Sequence, residues 1–168
     1  YYLAHSYLFL GDLEKGWDSY EFGFSNLLPA GSYRSLRKFT QPRWNGDLQT
    51  DKTIMIWREQ GLGDEILFYT CLPDLHETNL KIILECDPRL MDILKRRFPR
   101  FKIRPESIDS AFMPLFSDFD YQLALGSLPS LLRRKIHDFN KPSLTFSPLS
   151  NCVEEVKKRI RSYSSKVL

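Results

Sequence analysis

The pattern of apolar and polar residues changes once along this chain, from a helical period to an alternation of strands and helices. In residues 1–26, apolar side chains recur every three or four positions, through Leu3 and Tyr7 and again from Trp17 onward. Gly11 separates the two runs, as expected for a turn between helices. The pattern therefore predicts a helical hairpin over residues 1–26.

Four short apolar runs follow, and each is typical of a buried strand. They are Thr53–Trp57, Leu80–Glu85, Phe101–Arg104 and Phe119–Leu125. Helical patterns lie between and after them, at Asp64–Leu75, Asp87–Arg97 and Leu131–Asp138. Strands that alternate with helices at this spacing predict an α/β fold, with a Rossmann-like parallel sheet over residues 53–148 joined by right-handed crossovers.

Two further segments frame this domain. Residues 27–52 are basic and contain Pro and Gly, which is typical of a long connection. Such a loop is either functional or tied down by packing, and we favour a linker pinned against the sheet by Trp44. Residues 149–168 predict a basic helix from Val153, capped by Ser150 or Asn151, and then the first residues of a strand. We expect this segment to lead into a second domain.

The first strand continues into Arg58-Glu59-Gln60-Gly61-Leu62-Gly63-Asp64, the most distinctive run in the sequence. Ligands of doubly wound sheets bind beyond the carboxyl ends of the strands, where these residues are expected to lie. Gly61 and Gly63 would let the backbone turn sharply and approach a ligand. Asp64 stands where a helix cap belongs, and Ser127 follows the last strand at the same edge.

Each of these candidates also has a structural interpretation. Asp64 either caps its helix or also performs chemistry, because a carboxylate at a helix N-terminus is held ionised and can accept a proton. Glu59 and Gln60 either orient substrate hydroxyls or satisfy the backbone of the turn, and Ser127 either touches ligand or caps the next helix. The run lacks the GxGxxG spacing and the P-loop lysine, so we predict no dinucleotide, ATP or other cofactor.

Composition narrows the classes of function without selecting one. The 168 residues carry a formal net charge of only +3, and the basic residues are scattered, so nucleic acid is not an expected partner. No apolar run approaches the ~20 residues of a membrane span. The three cysteines lack CxxC spacing and the three histidines are isolated, which favours reduced thiols, a cytoplasmic protein and no metal site.

Several local motifs occur together in one order and support a resemblance to a known family. They are Gly16-Trp17 with Tyr20-Glu21, Gln41-Pro42-Arg43-Trp44-Asn45-Gly46, Glu59-Gln60-Gly61-Leu62-Gly63-Asp64, and Ser127-Leu128-Pro129. Together they resemble bacterial tetratricopeptide-repeat proteins fused to a glycosyltransferase domain similar to the heptosyltransferases. The hairpin resembles the second half of such a repeat, in which the small residue, here Gly16, admits the neighbouring helix.

The resemblance implies the acceptor-side, N-terminal half of a GT-B-type enzyme with two Rossmann-like halves. It implies Asp64 as the general base, a substrate-binding role for the surrounding turn, a nucleotide-sugar donor bound by the second half, and a glycan, lipid or protein acceptor. The isolated half is then expected to be inactive. The rival hypothesis is a non-catalytic binding or scaffold module whose repeat helices recruit a protein partner.

Overall fold

The computed structural model describes residues 2–24, 34, 37–49, 51–107, 115–140 and 144–164. The chain begins with two helices, α1 (Tyr2–Phe9) and α2 (Leu13–Glu21), and a 3-10 turn at Phe22–Phe24. Gly11 between the helices has a φ of 80°, which favours glycine. The side chain of Asp12 caps α2 by accepting a hydrogen bond from the Lys15 N–H. The predicted hairpin is thus present at the N-terminus.

In the part of the chain that the structure describes, four parallel strands form one sheet in the order β3-β2-β1-β4. The strands are β1 (Thr53–Trp57), β2 (Lys81–Cys86), β3 (Lys102–Pro105) and β4 (Tyr121–Ala124). In the two pairings of β1, Ile54 stands opposite Ile82 of β2 on one side and Tyr121 of β4 on the other. The all-parallel sheet confirms the predicted α/β, Rossmann-like fold, with strand positions close to those expected.

Five further helices follow in the described residues, and short 3-10 turns lie beside several of them. They are α3 (Leu62–Phe68), α4 (Leu72–His76), α5 (Met91–Arg97), α6 (Leu128–Leu132) and α7 (Ser150–Ser164). The single helix predicted over Asp64–Leu75 is wrong, since a 3-10 turn at Tyr69–Cys71 divides it just before Pro73. The backbone nitrogen of proline carries no hydrogen and suits the start of a new helix.

The helix predicted over Leu131–Asp138 is also wrong in its position. Helix α6 begins at Leu128, with Pro129 in its first turn, and ends at Leu132. Arg133 leaves the helical region with a φ of -137°, and a separate 3-10 turn occupies Ile136–Phe139. The apolar pattern alone did not mark this break.

The helical hairpin packs onto the helix-covered face of the sheet. Ala4 and Tyr20 belong to the same buried cluster as Ile54 and Ile56. The indole N–H of Trp17 donates to the carbonyl of Arg133 at 2.9 Å. The hairpin therefore shares a core with the parallel sheet.

The other face of the sheet has a smaller core built around Met55, Trp57 and Phe119. Phe24 and Phe39 pack against it from the segments that follow the hairpin. Trp44 is 1% exposed and lies in the main core, where its backbone N–H donates to the carbonyl of Gln122 in β4. The pinning of the connection by Trp44 is thus observed.

The remaining expectations concern the cysteines, membrane spans and the last residues. No disulfide bond joins Cys71, Cys86 or Cys152 within the described residues, and of the three only Cys152 is exposed. No described helix combines the length and apolar character that crossing a bilayer requires. The strand predicted to begin at residues 166–168 lies outside the described residues.

Candidate functional site

The turn between β1 and α3 places the predicted site residues at the carboxyl edge of the sheet. Gly61, with extended backbone, is the N-cap of α3, and its carbonyl accepts from the Glu65 N–H at 3.0 Å. Asp64 therefore lies in the first turn of the helix. The prediction that Asp64 is the cap is wrong, because the cap is Gly61, three residues before Asp64.

Asp64 is exposed, as are the two glycines beside it, Gly61 and Gly63. Its Oδ2 lies over Gly61, 3.2 Å from where a Cβ on that residue would stand. Within the described part of the chain, its carboxylate accepts no hydrogen bond. A carboxylate in the first turn of a helix is favoured by the N–H groups there. The Asp64 carboxylate is therefore open to solvent and can accept a proton or a hydrogen bond, and the exposed backbone of Gly61 and Gly63 lies next to it.

Glu59 lies beneath this turn, with a side chain only 1% exposed. Both of its oxygens accept from Arg34, one of them at 2.7 Å from Nε, and Oε1 also accepts from the Gly126 N–H at 3.0 Å. Ser127 is fully buried, and its hydroxyl accepts from Arg34 at 3.0 Å. The structure thus brings Glu59 and Ser127 together, but both are buried. Glu59 forms an ion pair with Arg34, and Ser127 accepts a hydrogen bond from the same guanidinium.

Arg34 is the centre of this buried pair. Its guanidinium lies 4.0 Å from the ring centre of Phe24 and 4.6 Å from that of Tyr20, and it also donates to Glu21 at 3.0 Å. Burial lowers the pKa of Arg34, but the hydrogen bond and charge of Glu59 outweigh that effect and the net pKa is raised. Arg34 is a permanent buried cation whose charge is met by carboxylates.

Gln60 connects the turn to the helical hairpin. Its side-chain amide donates to the hydroxyl of Tyr20 in α2 at 2.6 Å. Tyr20 is 5% exposed and packs against Phe68 of α3 with ring centres 6.2 Å apart. The hairpin therefore contacts the turn that carries Asp64, and Gln60 is only partly accessible to a ligand.

A second buried cluster lies under the neighbouring strand ends. Arg37 donates to Glu85 at 2.5 Å and to Glu106 at 2.6 Å. Glu85 is fully buried in β2, and burial raises its pKa although Arg37 and Arg104 offset part of the effect. These contacts hold residues of the connection against the ends of β2 and β3.

Glu65, the residue after Asp64, joins this edge to α3. It is 1% exposed and accepts from Arg58 at 2.7 Å, from the Tyr69 hydroxyl at 3.0 Å and from the backbone N–H of Asp87. Burial and the charge of Glu65 raise the pKa of Tyr69 far above its ordinary value. Adjacent carboxylates thus have opposite environments, with Glu65 buried in structure and Asp64 open to solvent.

The chemistry available at this edge is that of an oxygen base. Burial, with the charges of Glu65 and Asp87, raises the pKa of Cys86 to about 12, so this thiol stays protonated at neutral pH and is a poor nucleophile. Among the described residues no cluster of His, Cys, Asp and Glu is arranged to hold a metal ion. Asp64 is the exposed ionisable group beside the glycine turn.

The larger of two cavities lies at the edge of the sheet opposite to the glycine turn. A cavity of about 550 Å³ opens at the amino-terminal edge, lined by residues such as Thr53, Lys81 and Lys102. A smaller one, about 190 Å³, lies at the carboxyl edge beside Trp57 and Gln122. Neither cavity is lined by Asp64, Gly61 or Gly63. We place the candidate site at the carboxyl edge because ligands of parallel sheets bind there.

Sequence reasoning missed the buried charges of this site, chiefly Arg34, Arg37, Glu65 and Glu85. One signal was present, since Glu85 interrupts an otherwise apolar strand and a buried carboxylate needs a cation. Arg34 and Arg37 gave no comparable signal, because a basic connection rich in Pro and Gly is normally solvated.

Comparison with known proteins adds one similarity. No family model matches the chain, and no solved structure matches it. The chain is 30% identical over 153 residues to Protein FlbA of Caulobacter vibrioides, an alignment that covers 84% of this chain and 25% of FlbA. The chain thus spans about a quarter of the length of this curated relative.

Proposed function

We propose that this chain is the acceptor-side half of a glycosyltransferase of the GT-B type, with Asp64 as the general base. The observation that carries the proposal is an exposed carboxylate, flanked by Gly61 and Gly63, at the carboxyl edge of a Rossmann-like parallel sheet. The ordered motifs that resemble the heptosyltransferase-like proteins support it. The acceptor is a glycan, lipid or protein that carries a hydroxyl group.

In inverting sugar transfer, the acceptor oxygen attacks the anomeric carbon while a base takes its proton and the nucleoside diphosphate leaves. Asp64 would take that proton, and the glycines would allow the acceptor to approach the backbone. The nucleotide-sugar donor would bind to a second domain, outside these 168 residues. The chain by itself is then inactive, and sugar transfer by the isolated chain would contradict the half-enzyme proposal.

The buried ion pairs below the turn support this role by holding it in place. Arg34 and Glu59 fix the end of β1, and Glu65 fixes the first turn of α3, so the backbone on both sides of Asp64 is anchored. General-base catalysis depends on a base held within hydrogen-bond reach of the proton it takes. A rigid support makes an exposed carboxylate suitable for that task.

The test is Asp64→Asn in a longer version of the protein that includes the donor domain. The amide cannot accept the proton, so we expect the transfer rate to fall by roughly two to four orders of magnitude, the usual contribution of a general base. Because Asp64 is exposed, the free energy of unfolding should fall only by the roughly 0.3–1 kcal/mol that a carboxylate gains in the first turn of a helix. The measurement is sugar transfer from a nucleotide-sugar donor, with calorimetry of the same samples.

Asp92→Asn is the matched control, since Asp92 is also an exposed carboxylate in the first turn of a helix, α5. We expect this variant to transfer sugar at the unaltered rate. Full activity in Asp64→Asn would rule out the assigned role of Asp64. Equal losses in both variants would show a general effect of surface charge.

The second candidate function is a binding or scaffold module. It is favoured by apolar side chains left open on the hairpin, where Leu3, Phe9, Leu10 and Phe22 are more than half exposed. Large exposed apolar patches mark sites of protein contact, and exposed apolar side chains are what such a patch requires. Under this function Asp64→Asn is silent, whereas Phe9→Ser with Leu10→Ser abolishes partner binding. The enzyme function requires the opposite result for Asp64.

A further inference from the structure

The larger cavity, at the amino-terminal edge of the sheet, has no part in the proposed function. Its volume of about 550 Å³ falls within the range of small-molecule sites. It is lined by the first residues of β1, β2 and β3, among them Lys81 and Lys102, and by the segment before β2. Because this edge lies opposite the glycine turn, a ligand bound here is separate from Asp64.

The register of the strands brings two cations to one face of the sheet. Lys81 stands opposite Thr53 of β1, and Ile83 stands opposite Lys102 of β3. Side chains two residues apart along a strand share a face, and so do the side chains of directly paired residues. Lys81 and Lys102 therefore project on the same side as Ile83, which also lines the cavity and is 3% exposed.

Arg100 adds a guanidinium to the cavity that is already held in place. Its Nη2 donates to the backbone carbonyls of His76 and Thr78, at and just after the end of α4. Within the described residues, the other nitrogens of this guanidinium make no hydrogen bond, and no carboxylate pairs with it. The side chain is thus anchored on one side, and its remaining N–H groups are available to a ligand.

The cavity has a surplus of positive charge. Asp118 is the one acidic residue in the lining that the structure describes. It bonds to Lys102 at 2.5 Å and to Arg104 at 2.8 Å, so its charge is already met twice. Lys81 is exposed and pairs with no carboxylate in the described part of the chain. An anion in the cavity would therefore meet Lys81 and Arg100 without displacing an existing ion pair.

We propose that this cavity is a binding site for a phosphate ester, whose phosphate group is bound by Lys81 and Arg100. A phosphate monoester carries about 1.5–2 negative charges at neutral pH, which matches two cations without partners, and it accepts several hydrogen bonds. Asn79, also in the lining, adds an amide that can donate another. The ester is either a soluble metabolite or a lipid headgroup. This inference is independent of the proposed enzymatic function.

The test titrates the 168-residue chain at low salt with glucose 6-phosphate and with glucose, and follows the backbone amides by NMR. We expect glucose 6-phosphate to bind at least about tenfold tighter than glucose, because hydrogen bonds to charged groups are the strong ones. The shifted amides should be those of residues 78–83 and 100–102, and not those of residues 61–65. Vesicles that contain phosphatidic acid distinguish the two sources, since tighter binding to them than to glucose 6-phosphate would identify a lipid headgroup.

Two substitutions at one position test the role of the free cation. Lys81→Gln should weaken the binding of glucose 6-phosphate by at least about fivefold, and Lys81→Glu should abolish it. Lys95→Gln is the matched control, because it removes an exposed lysine of α5 that does not line the cavity. This variant should bind as the unaltered chain does. Circular dichroism of each variant checks that the fold is retained.

Four outcomes would overturn the proposal. The first two are equal binding of glucose and glucose 6-phosphate, and shifts centred on residues 61–65. The third is an equal loss of binding in Lys81→Gln and Lys95→Gln, which would show a general effect of surface charge. The fourth comes from a longer version of the protein, which should bind as the 168-residue chain does. Loss of binding there would show that another segment of the protein occupies the cavity.

Discussion

At the scale of single residues, Gly126 and Gly63 differ in whether the structure leaves room for a side chain. A Cβ on Gly126 would stand 2.7 Å from Oε1 of Glu59 and 3.0 Å from the ring of Phe68, whereas a Cβ on Gly63 would meet nothing within 4 Å. Gly126→Ala should lower the free energy of unfolding by about 1–3 kcal/mol through overpacking. Urea denaturation of the purified chain measures the change.

Gly63→Ala is the matched control in the same experiment. Gly63 lies within α3, where alanine is favoured over glycine, so the variant should be more stable by about 0.5–1 kcal/mol. If both substitutions changed the midpoint alike, the close approach of Gly126 to Glu59 would be refuted. In a full-length enzyme, Gly63→Ala would still slow transfer by obstructing the acceptor.

At the scale of elements, the pair of Arg34 and Glu59 joins the connection after the hairpin to the ends of β1 and β4. Their side chains are 0% and 1% exposed, so removing one partner leaves the other charge buried without compensation. Arg34→Met should therefore cost about 3–5 kcal/mol of stability. The measurement is the midpoint and the slope of a denaturation curve that is monitored by circular dichroism.

Arg43→Met provides the comparison, because Arg43 binds the other oxygen of Glu21 but is 45% exposed. Exposed pairs contribute about 0–1 kcal/mol, so this variant should be close to neutral. A cost for Arg34→Met no greater than that for Arg43→Met would refute a stabilising role of the buried pair. Arg34→Lys keeps the charge without the paired hydrogen bonds and should fall between them.

At the scale of the whole molecule, the hairpin and the sheet share one buried core, so we expect them to unfold together. Ala4 and Tyr20 lie in the sheet's core cluster, and Trp17 in α2 bonds to Arg133 beyond β4. Trp17→Phe removes that bond and part of a packed ring, so the free energy of unfolding should fall by about 1–2 kcal/mol. The whole chain should still unfold in one transition.

Hydrogen exchange of α2 and β1 amides measures this coupling directly. Both elements should lose protection by the same amount in Trp17→Phe. Loss confined to α2 would show that the hairpin unfolds separately and contradict a shared core. Asp18→Asn is a milder control, since its pair with Arg134 is largely exposed at Asp18 and should matter little.

Much of the fold could be predicted because its signals are local. β1 occupies Thr53–Trp57 as expected, since a run of β-branched and apolar residues before a glycine turn needs no distant information. The close approach of the two hairpin helices at Gly16 is also observed, where a Cβ would stand 2.5 Å from the side chain of Leu8. The break in the helix at Tyr69–Cys71 was missed, since apolar periodicity continues across it.

The candidate site was less predictable because burial decides it. Asp64 and Glu65 are adjacent acidic residues, yet one is exposed and the other is buried against Arg58. Glu59 and Ser127 were candidates for ligand contact, with support of backbone and capping of the next helix as their alternatives. The structure places both against Arg34, 25 and 93 residues away in sequence, and Ser127 is the N-cap residue of α6. Pairings at such separations leave no local pattern.

The sequence by itself determined the order of elements, the parallel sheet and the glycine turn. These follow from backbone preferences and from the periods of apolar residues, which act over a few residues. Only the tertiary structure decided which charged groups are removed from water and paired, and hence that Asp64 alone of its turn's carboxylates faces solvent. Burial and pairing are properties of three-dimensional neighbours, and distant segments of the chain supply those neighbours.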